Sequence, residues 1–151
     1  MLFCSFVGYA QIYKMYQTKN YHNQLRLNTA TGEVKQIQDD GQSWIICPGI
    51  DSSLDQSGRF NLNETKNMWN FILLDTYTGR LWQVQYSSKD LDALMCIPIN
   101  EDELAQASRP IFSISPLTSM YQYYLINEQN GDMWKFQWST KGDDYRWIKR
   151  Q

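Results

Sequence analysis

The feature that most constrains this chain is a hairpin pattern that occurs three times. The three copies align without gaps on a glycine in each turn, and an aromatic residue lies nineteen positions before each glycine. The glycines are Gly32, Gly79 and Gly131, and the aromatic residues are Tyr13, Phe60 and Phe112. An internal repeat at this spacing predicts three copies of one structural unit.

Each repeat contains a turn with the same chemistry. The turns read NTATG at 28–32, DTYTG at 75–79 and NEQNG at 127–131. Each opens with Asn or Asp, whose side chain can accept hydrogen bonds from backbone N–H groups two residues on. Each closes with a glycine, which adopts positive φ without strain. The turns therefore predict three β-hairpins.

The strand that follows each turn alternates with period two. One face carries Trp82, Val84 and Tyr86 in the second copy, Trp134, Phe136 and Trp138 in the third, and Lys35 and Ile37 in the first. The other face carries mostly glutamine. This alternation predicts one packed and one polar face, with Trp82 and Trp134 as equivalent core residues.

The strand that precedes each turn differs between copies. Segments 69–74 and 121–126 are apolar at nearly every position, which predicts central strands covered on both faces. Segment 22–27 is more polar, so we expect the first copy to be the most exposed.

A fourth strand completes each unit, at 43–47, 93–97 and 145–148. The repeats span about 12–50, 59–99 and 111–151, and a chain of 151 residues that is 42% hydrophobic can bury one substantial core. We therefore expect one all-β domain over 11–151, built from three tandem four-stranded antiparallel repeats with pseudo-threefold symmetry. A propeller-like arrangement is favoured, and a β-trefoil is the alternative.

The second hairpin, LLDTYTGRLWQ, resembles the blade hairpin of quinoprotein-type β-propellers in its Asp, its Thr-Gly turn and its following Trp. In that family the Trp usually lies four residues after the glycine, whereas Trp82 and Trp134 lie three after it and the first copy has Lys35 there. The resemblance implies a blade and gives no support for that family's cofactor. The chain is also similar to small exported bacterial proteins with LLDxxTGxxWQVQ hairpins, a resemblance that implies no particular activity.

Residues 1–10, MLFCSFVGYA, are apolar and end in a small-residue pattern before Gln11. They indicate either the distal half of a signal peptide, which would place the protein in the periplasm or outside the cell, or a first strand of a cytoplasmic protein.

Cys47 and Cys96 lie near the ends of fourth strands in different repeats. Because equivalent positions in separate repeats are usually too far apart for a disulfide, we expect two buried free thiols.

Two linkers join the repeats. In the second, Asn100 with Glu103 three residues later is a capping-box pattern that predicts one or two helical turns within 100–107. The first, at 51–58, has some features of a calcium loop. Its glycine is at the eighth position and no Glu follows at the twelfth, so an ordinary capped turn is favoured and no metal is expected.

The charge pattern and the motifs exclude several function classes. The net charge is −2 and there is no Lys/Arg cluster, which argues against binding to duplex nucleic acid or to an anionic membrane. No nucleophile, phosphate-binding or dinucleotide motif is present. The one histidine, His22, aligns with Trp69 and Tyr121, where a planar ring would pack, so we expect a structural role. We predict that the protein is not an enzyme and needs no cofactor.

Binding is the function class that remains. The chain has ten Tyr and six Trp, and aromatic rings beside amide side chains are a common way to hold sugars, although exposed aromatic residues also bind proteins. The same polar strand face recurs in all three copies, and we predict that its side chains converge near a common axis to form the ligand contact surface. These residues are Gln36, Gln38, Gln83, Gln85, Lys135 and Gln137.

Overall fold

The computed structural model describes residues 11–51 and 56–151. In this part of the chain, twelve strands form three four-stranded antiparallel sheets, each with its strands in chain order. Sheet 1 contains β1 (Tyr13–Gln17), β2 (Asn23–Asn28), β3 (Val34–Gln38) and β4 (Ser43–Cys47). Sheet 2 contains β5 (Phe60–Glu64), β6 (Asn70–Asp75), β7 (Leu81–Gln85) and β8 (Met95–Pro98). Sheet 3 contains β9 (Phe112–Pro116), β10 (Gln122–Asn127), β11 (Met133–Gln137) and β12 (Trp147–Arg150).

This architecture confirms the predicted all-β class with three tandem four-stranded repeats. Each sheet is an up-and-down meander, the strand order of a propeller blade. The predicted fourth strands are present, but β8 and β12 begin two residues later than expected. A short 3₁₀ helix precedes each of them, at Leu91–Ala93 and Asp143–Tyr145.

The three hairpin turns form as their sequence predicts. The opening side chain of each turn accepts a hydrogen bond from the backbone N–H two residues on, at 2.9 to 3.0 Å. The closing glycines have φ between 77° and 82°, in the left-handed region that a side chain disfavours. Asn28, Asp75 and Asn127 are the opening residues, and Gly32, Gly79 and Gly131 are the closing ones.

The sheets pack face to face around two hydrophobic cores. The first core lies between sheets 1 and 2, where Leu25 and Leu27 meet Phe71 and Val84. The second lies between sheets 2 and 3 and includes Ile72, Leu74 and Leu81 from sheet 2. Its members from sheet 3 are Phe112, Tyr123, Leu125, Trp134, Phe136 and Trp138. The aromatic face of each later sheet thus packs on the sheet before it, as the alternation predicts.

Burial confirms a strand that is covered on both faces in sheet 2 only. Every residue of β6 is buried, because cores cover both faces of sheet 2. In β10, where a strand covered on both faces was expected, buried and half-buried residues alternate, and β2 shows the same alternation. The prediction for β10 is therefore wrong: its apolar run has one face in the second core and the other facing outward.

The two tryptophans predicted to be equivalent differ in burial. Trp134 is only 8% exposed and lies in the second core, as expected. Trp82 is half-buried and packs at the edge of the first core, where it lines a cavity. The second core also contains Tyr123, stacked on Phe136 at 5.4 Å, and burial raises the pKa of the Tyr123 hydroxyl.

Cys47 and Cys96 form a disulfide, so the expectation of two free thiols is wrong. Their Cα atoms lie 5.4 Å apart, within the range that a disulfide spans. The two cysteines are not equivalent, because Cys47 lies opposite Val34 at the start of β3 whereas Cys96 lies opposite Val84 near the end of β7. Val34 and Val84 both belong to the first core. The cysteines therefore lie on sheet faces that oppose each other across the same gap.

The linker 100–107 forms no helix, so the predicted helical turns are wrong. The Asn100 side chain instead accepts a hydrogen bond from the backbone N–H of Leu81 at 2.8 Å and donates one to the carbonyl of Gly79 at 3.2 Å. The amide thus binds the hairpin of sheet 2 and is not available as a helix cap. The alternatives for residues 1–10 lie outside the described residues, as do positions 52–55 of the first linker.

Candidate functional site

The predicted ligand residue Gln36 is fully buried between sheets 1 and 2. Its Nε2 donates to Asn23 Oδ1 at 2.7 Å and to the backbone carbonyl of Ser87, and its Oε1 accepts from the Ser87 N–H at 3.2 Å. Both ends of the amide are therefore bonded within the protein, and they join β3 to the chain that follows β7.

Gln83 occupies the same position between sheets 2 and 3 and is also fully buried. Its Nε2 donates to Asn70 Oδ1 at 2.8 Å. Its Oε1 accepts from the Ser139 N–H at 3.2 Å and from Arg146 Nε at 2.8 Å. The glutamine face of sheet 2 is therefore packed, which corrects the expectation of one packed and one polar face. Burial leaves these amides no free partner for a ligand.

The third copy has Lys135 at this position. Lys135 is half-buried on β11 and lies opposite Lys149 of β12. On the neighbouring strand, Gln122 replaces the asparagine of the other copies, and its Nε2 donates to Gln137 Oε1 at 2.9 Å. The outer face of sheet 3 thus lacks the Gln–Asn pair with which sheets 1 and 2 bind the following repeat.

The remaining three predicted amides each bind a different carbonyl. Gln38 Nε2 donates to Ser88 O at 3.3 Å, Gln85 Nε2 to Ala93 O at 2.9 Å, and Gln137 Nε2 to Tyr145 O at 2.9 Å. Among the described residues, no hydrogen bond joins two of these three amides. A role for them in ligand binding stays a prediction, and the surfaces around Gln38 and Gln85 are the ones that form grooves.

We call the first of these the His22 groove. It has a volume of about 420 Å³. His22 Nδ1 lies 2.8 Å from Asp39 Oδ2, and the His22 side chain is 82% exposed. Asn23 also lines the groove, and its buried Nδ2 has no hydrogen-bond partner within residues 11–51 and 56–151. The lining residues are Asn20, His22, Asn23, Gln38, Asp39, Asp40, Ser88 and Lys89.

His22 does not pack as its counterparts in the other repeats do. The Trp69 ring lies 5.2 Å from Tyr86, and the Tyr121 ring lies 4.9 Å from Trp138. In the first repeat, Asp39 occupies the position of Tyr86, so an exposed pair of polar side chains replaces the two packed rings. The packing role predicted for His22 is therefore wrong.

The second groove, which we call the Trp69 groove, has a volume of about 280 Å³. Asn67 Oδ1 accepts hydrogen bonds from Trp69 N and from Asn70 Nδ2, at 2.9 and 3.0 Å. Within the described chain, Asn67 Nδ2 and Gln85 Oε1 have no hydrogen-bond partner. The lining residues are Asn67, Trp69, Asn70, Gln85, Tyr86, Ser87, Ser88, Lys89, Asp90, Ala93 and Thr140.

The two grooves are related by the repeat and adjoin each other. Ser88 and Lys89 line both. An Asn-x-x-Asn pattern, at 20–23 and again at 67–70, supplies corresponding residues to each, and this signal could have identified the grooves from the sequence. The segment that contains Ser88 and Lys89 carries no such signal, because it reaches both grooves only through the packing of sheet 2 on sheet 1.

Two further features bear on chemistry. Among residues 11–51 and 56–151, no three His, Cys, Asp or Glu side chains are grouped so that they could hold a metal ion. The same ranges contain no helix with the length and apolar character needed to cross a membrane.

Comparison with protein families, with curated proteins and with solved structures finds no match for this chain. The similarity of its hairpins to propeller blades therefore rests only on the hairpin motif and on the four-stranded antiparallel sheets.

Proposed function

We propose that this protein is a non-enzymatic binding module that holds a saccharide in the Trp69 groove. The observation that supports this most directly is the unused hydrogen-bonding capacity beside an indole ring. Trp69 is half-buried, Asn67 Nδ2 and Gln85 Oε1 bind no other atom in the described part of the chain, and all three residues line one groove.

This combination fits the chemistry of a sugar ring. The C–H groups on one face of a pyranose pack against an aromatic ring, while its hydroxyls both donate and accept hydrogen bonds. Asn67 and Gln85 together offer one donor and one acceptor. Asp90 lines the same groove and adds a strong acceptor for hydroxyl groups.

The adjoining His22 groove favours an oligosaccharide as the ligand. Ser88 and Lys89 belong to both grooves, so a chain of sugars could lie across them. The His22 groove adds the polar side chains of Asn20, Asp39 and Asp40, which can bind further sugar hydroxyls.

Calorimetric titration with chitotetraose, cellotetraose and maltotetraose tests the proposal. We expect at least one of these probes to bind, and we expect Trp69→Ala and Asn67→Ala each to weaken its binding by about tenfold. Tyr121→Ala is the matched control, because Tyr121 is the equivalent ring in the third repeat and lines neither groove. If Trp69→Ala also lowers the melting temperature, its weaker binding could come from loss of folded protein, and Asn67→Ala then decides the test.

No binding of any of the three tetrasaccharides up to about 10 mM would contradict the proposal. Unchanged binding by the Asn67→Ala variant would contradict the placement of the sugar in the Trp69 groove.

A second candidate function is a protein-interaction module, and one surface favours it. Tyr13, Met15 and Ile45 of sheet 1 are 49%, 52% and 54% exposed. Met15 pairs with Arg26, Arg26 with Lys35, and Lys35 with Ile45, so two of the exposed apolar side chains lie on one row across the sheet. This row places Arg26 and Lys35 between the two apolar side chains, and exposed Met and Arg are both enriched at protein contacts. Loss of a specific partner in a Met15→Glu variant that still binds sugar would show that the two functions are separate.

We also propose that the protein works in an oxidising compartment, the periplasm or the exterior of a bacterial cell. The Cys47–Cys96 disulfide supports this, since disulfides rarely persist in the bacterial cytosol. Maleimide labelling of Cys47 and Cys96 in intact producing cells, before and after reduction, tests it. Labelling of these cysteines without added reductant would place the protein in a reducing compartment.

A further inference from the structure

A third cavity lies between sheets 1 and 2, at the opposite strand ends from the two grooves. We call it the Arg80 cavity, and its volume is about 290 Å³. It is bounded by the first hairpin turn, by the chain that follows Cys47, and by β7 and β8. An engineered apolar cavity of about 150 Å³ holds a benzene molecule, so this space is large enough for a benzene ring with a short side chain.

Most of the cavity wall is apolar. The Cys47–Cys96 disulfide forms part of it, and Trp82 and Phe60, whose ring centroids are 6.2 Å apart, form another part. The remaining apolar lining residues are Pro48, Ile50, Leu73 and Pro98.

Of the described residues that line this apolar space, one is cationic. The Arg80 guanidinium lies 4.7 Å from the Trp82 ring centroid, and its Nε is buried without a hydrogen-bond partner among the described residues. In the described part of the chain, no carboxylate forms an ion pair with Arg80. Arg80 is half-buried, so its guanidinium is partly removed from water, which is unfavourable without an anion, and stacking on an indole compensates only in part.

Arg59 shows how the same side chain is satisfied elsewhere in this protein. Its Nε and Nη2 donate to Asp75 at 2.8 and 2.6 Å, and this hydrogen bonding raises the pKa of Arg59 against the opposing effect of burial. Arg80 has the same donors, but among residues 11–51 and 56–151 no carboxylate accepts a hydrogen bond from them.

The corresponding place between sheets 2 and 3 is built differently. There Asp132 occupies the position of Arg80 and accepts a hydrogen bond from Arg150 at 2.9 Å. Leu104 and Ala105 of the second linker pack on the core nearby. The unpaired arginine is therefore a property of the Arg80 cavity and not of the repeat.

We propose that the Arg80 cavity binds a small organic carboxylate with an aromatic or branched apolar body. The carboxylate accepts hydrogen bonds from the Nη groups of the Arg80 guanidinium, whose planar arrangement matches a carboxylate group. The apolar body lies against Trp82, Phe60 and the disulfide. A single guanidinium in an apolar wall suits a monoanion better than a phosphate or a polyanion, which would need further charges.

Calorimetric titration with 3-phenylpropanoate tests the proposal, with the uncharged 3-phenylpropanamide as the matched ligand. We expect the wild-type protein to bind the acid about tenfold more tightly than the amide. Arg80→Gln should lose this preference, and Arg80→Lys should keep part of it. Arg150→Gln is the control, because Arg150 also lies over a tryptophan, 5.9 Å from the Trp134 ring, but is paired with Asp132. That variant should bind the acid like the wild type.

Three results would overturn the proposal. One is the absence of 3-phenylpropanoate binding to the wild-type protein up to about 10 mM. Another is equal affinity of the wild type for the acid and the amide. The third is an Arg80→Gln variant that retains the wild-type melting temperature and the full preference for the acid. Failure of the tetrasaccharide titration would not affect this test, since none of the lining residues is shared with either groove.

Discussion

The backbone N–H of Ser139 donates a hydrogen bond to Gln83 Oε1 at 3.2 Å, and this bond joins sheet 3 to sheet 2 across 56 positions of sequence. Gln36 and Ser87 make the equivalent bond between sheets 1 and 2, also at 3.2 Å. A buried glutamine in one repeat therefore binds the backbone of the next repeat, and this bond helps to set the position of each sheet relative to the one before it.

This relationship predicts a large effect of Gln83→Leu on stability. The substitution leaves the Ser139 N–H, the Asn70 Oδ1 and one Arg146 donor without their present partner in a buried site. We expect the free energy of unfolding in urea to fall by about 2 to 4 kcal/mol. Gln137→Leu is the control, because Gln137 is half-buried on the outer face of sheet 3, and it should cost less than about 1 kcal/mol. Equal losses for the two variants would mean that the inter-sheet bonds contribute little.

Reduction of the Cys47–Cys96 disulfide should destabilise the protein without abolishing its fold. The bond closes a loop with a sequence separation of 49 between edge strands of two sheets. Reduction with dithiothreitol is expected to lower the free energy of unfolding by about 2 to 4 kcal/mol. The double variant Cys47→Ser, Cys96→Ser should show the same lower stability and no response to dithiothreitol. If the reduced and oxidised proteins unfold at the same urea concentration, the sheets are held together without help from the disulfide.

The two tryptophans that begin the packed faces should respond differently to truncation. Trp134 is buried in the second core and contacts Phe112, with ring centroids 6.0 Å apart. Trp134→Ala should cost about 3 to 5 kcal/mol. Trp82 is half-buried at a cavity, so Trp82→Ala should cost about 1 to 2 kcal/mol, because less apolar surface is lost from the core. Chemical denaturation of both variants decides this, and a larger loss for Trp82 would contradict the observed burial.

The turn glycines provide a graded test of how the repeats interlock. A Cβ added at Gly32 would lie 2.8 Å from the Phe60 ring, and one at Gly79 would lie 3.0 Å from the Phe112 ring. A Cβ at Gly131 would have no described atom within 4 Å. All three positions have positive φ, so Gly131→Ala should cost about 1 kcal/mol from the backbone alone. Gly32→Ala and Gly79→Ala should cost about 2 to 4 kcal/mol, because the next repeat must also shift.

Thermal and urea unfolding of the three alanine variants measure this difference. Equal losses at all three glycines would show that the contact between a turn and the next repeat's phenylalanine adds nothing to stability.

The grooves and the cavity were less predictable than the strands. Gln38 and Gln85 were identified from the sequence because they recur at one position, and both line grooves. Gln36 and Gln83 recur in the same way, yet they are buried between sheets. Nothing in the period of the sequence distinguishes the two pairs, because a recurring amide is equally compatible with a solvated face and with a buried inter-sheet contact.

The sequence by itself determined the local elements of this protein. The Asn or Asp that opens each turn and the glycine that closes it specify three hairpins through bonds within five residues, and alternation specifies which residues share a strand face. Tertiary structure decided what each face meets. The polar face of sheet 2 is packed because sheet 3 covers it. Cys47 bonds to Cys96 because two inequivalent positions on edge strands face the same gap between sheets. Arg80 has no ion-pair partner in the described chain because the packing of the sheets places no carboxylate beside it. These outcomes depend on contacts between residues about 50 positions apart, and local chemistry does not encode such contacts.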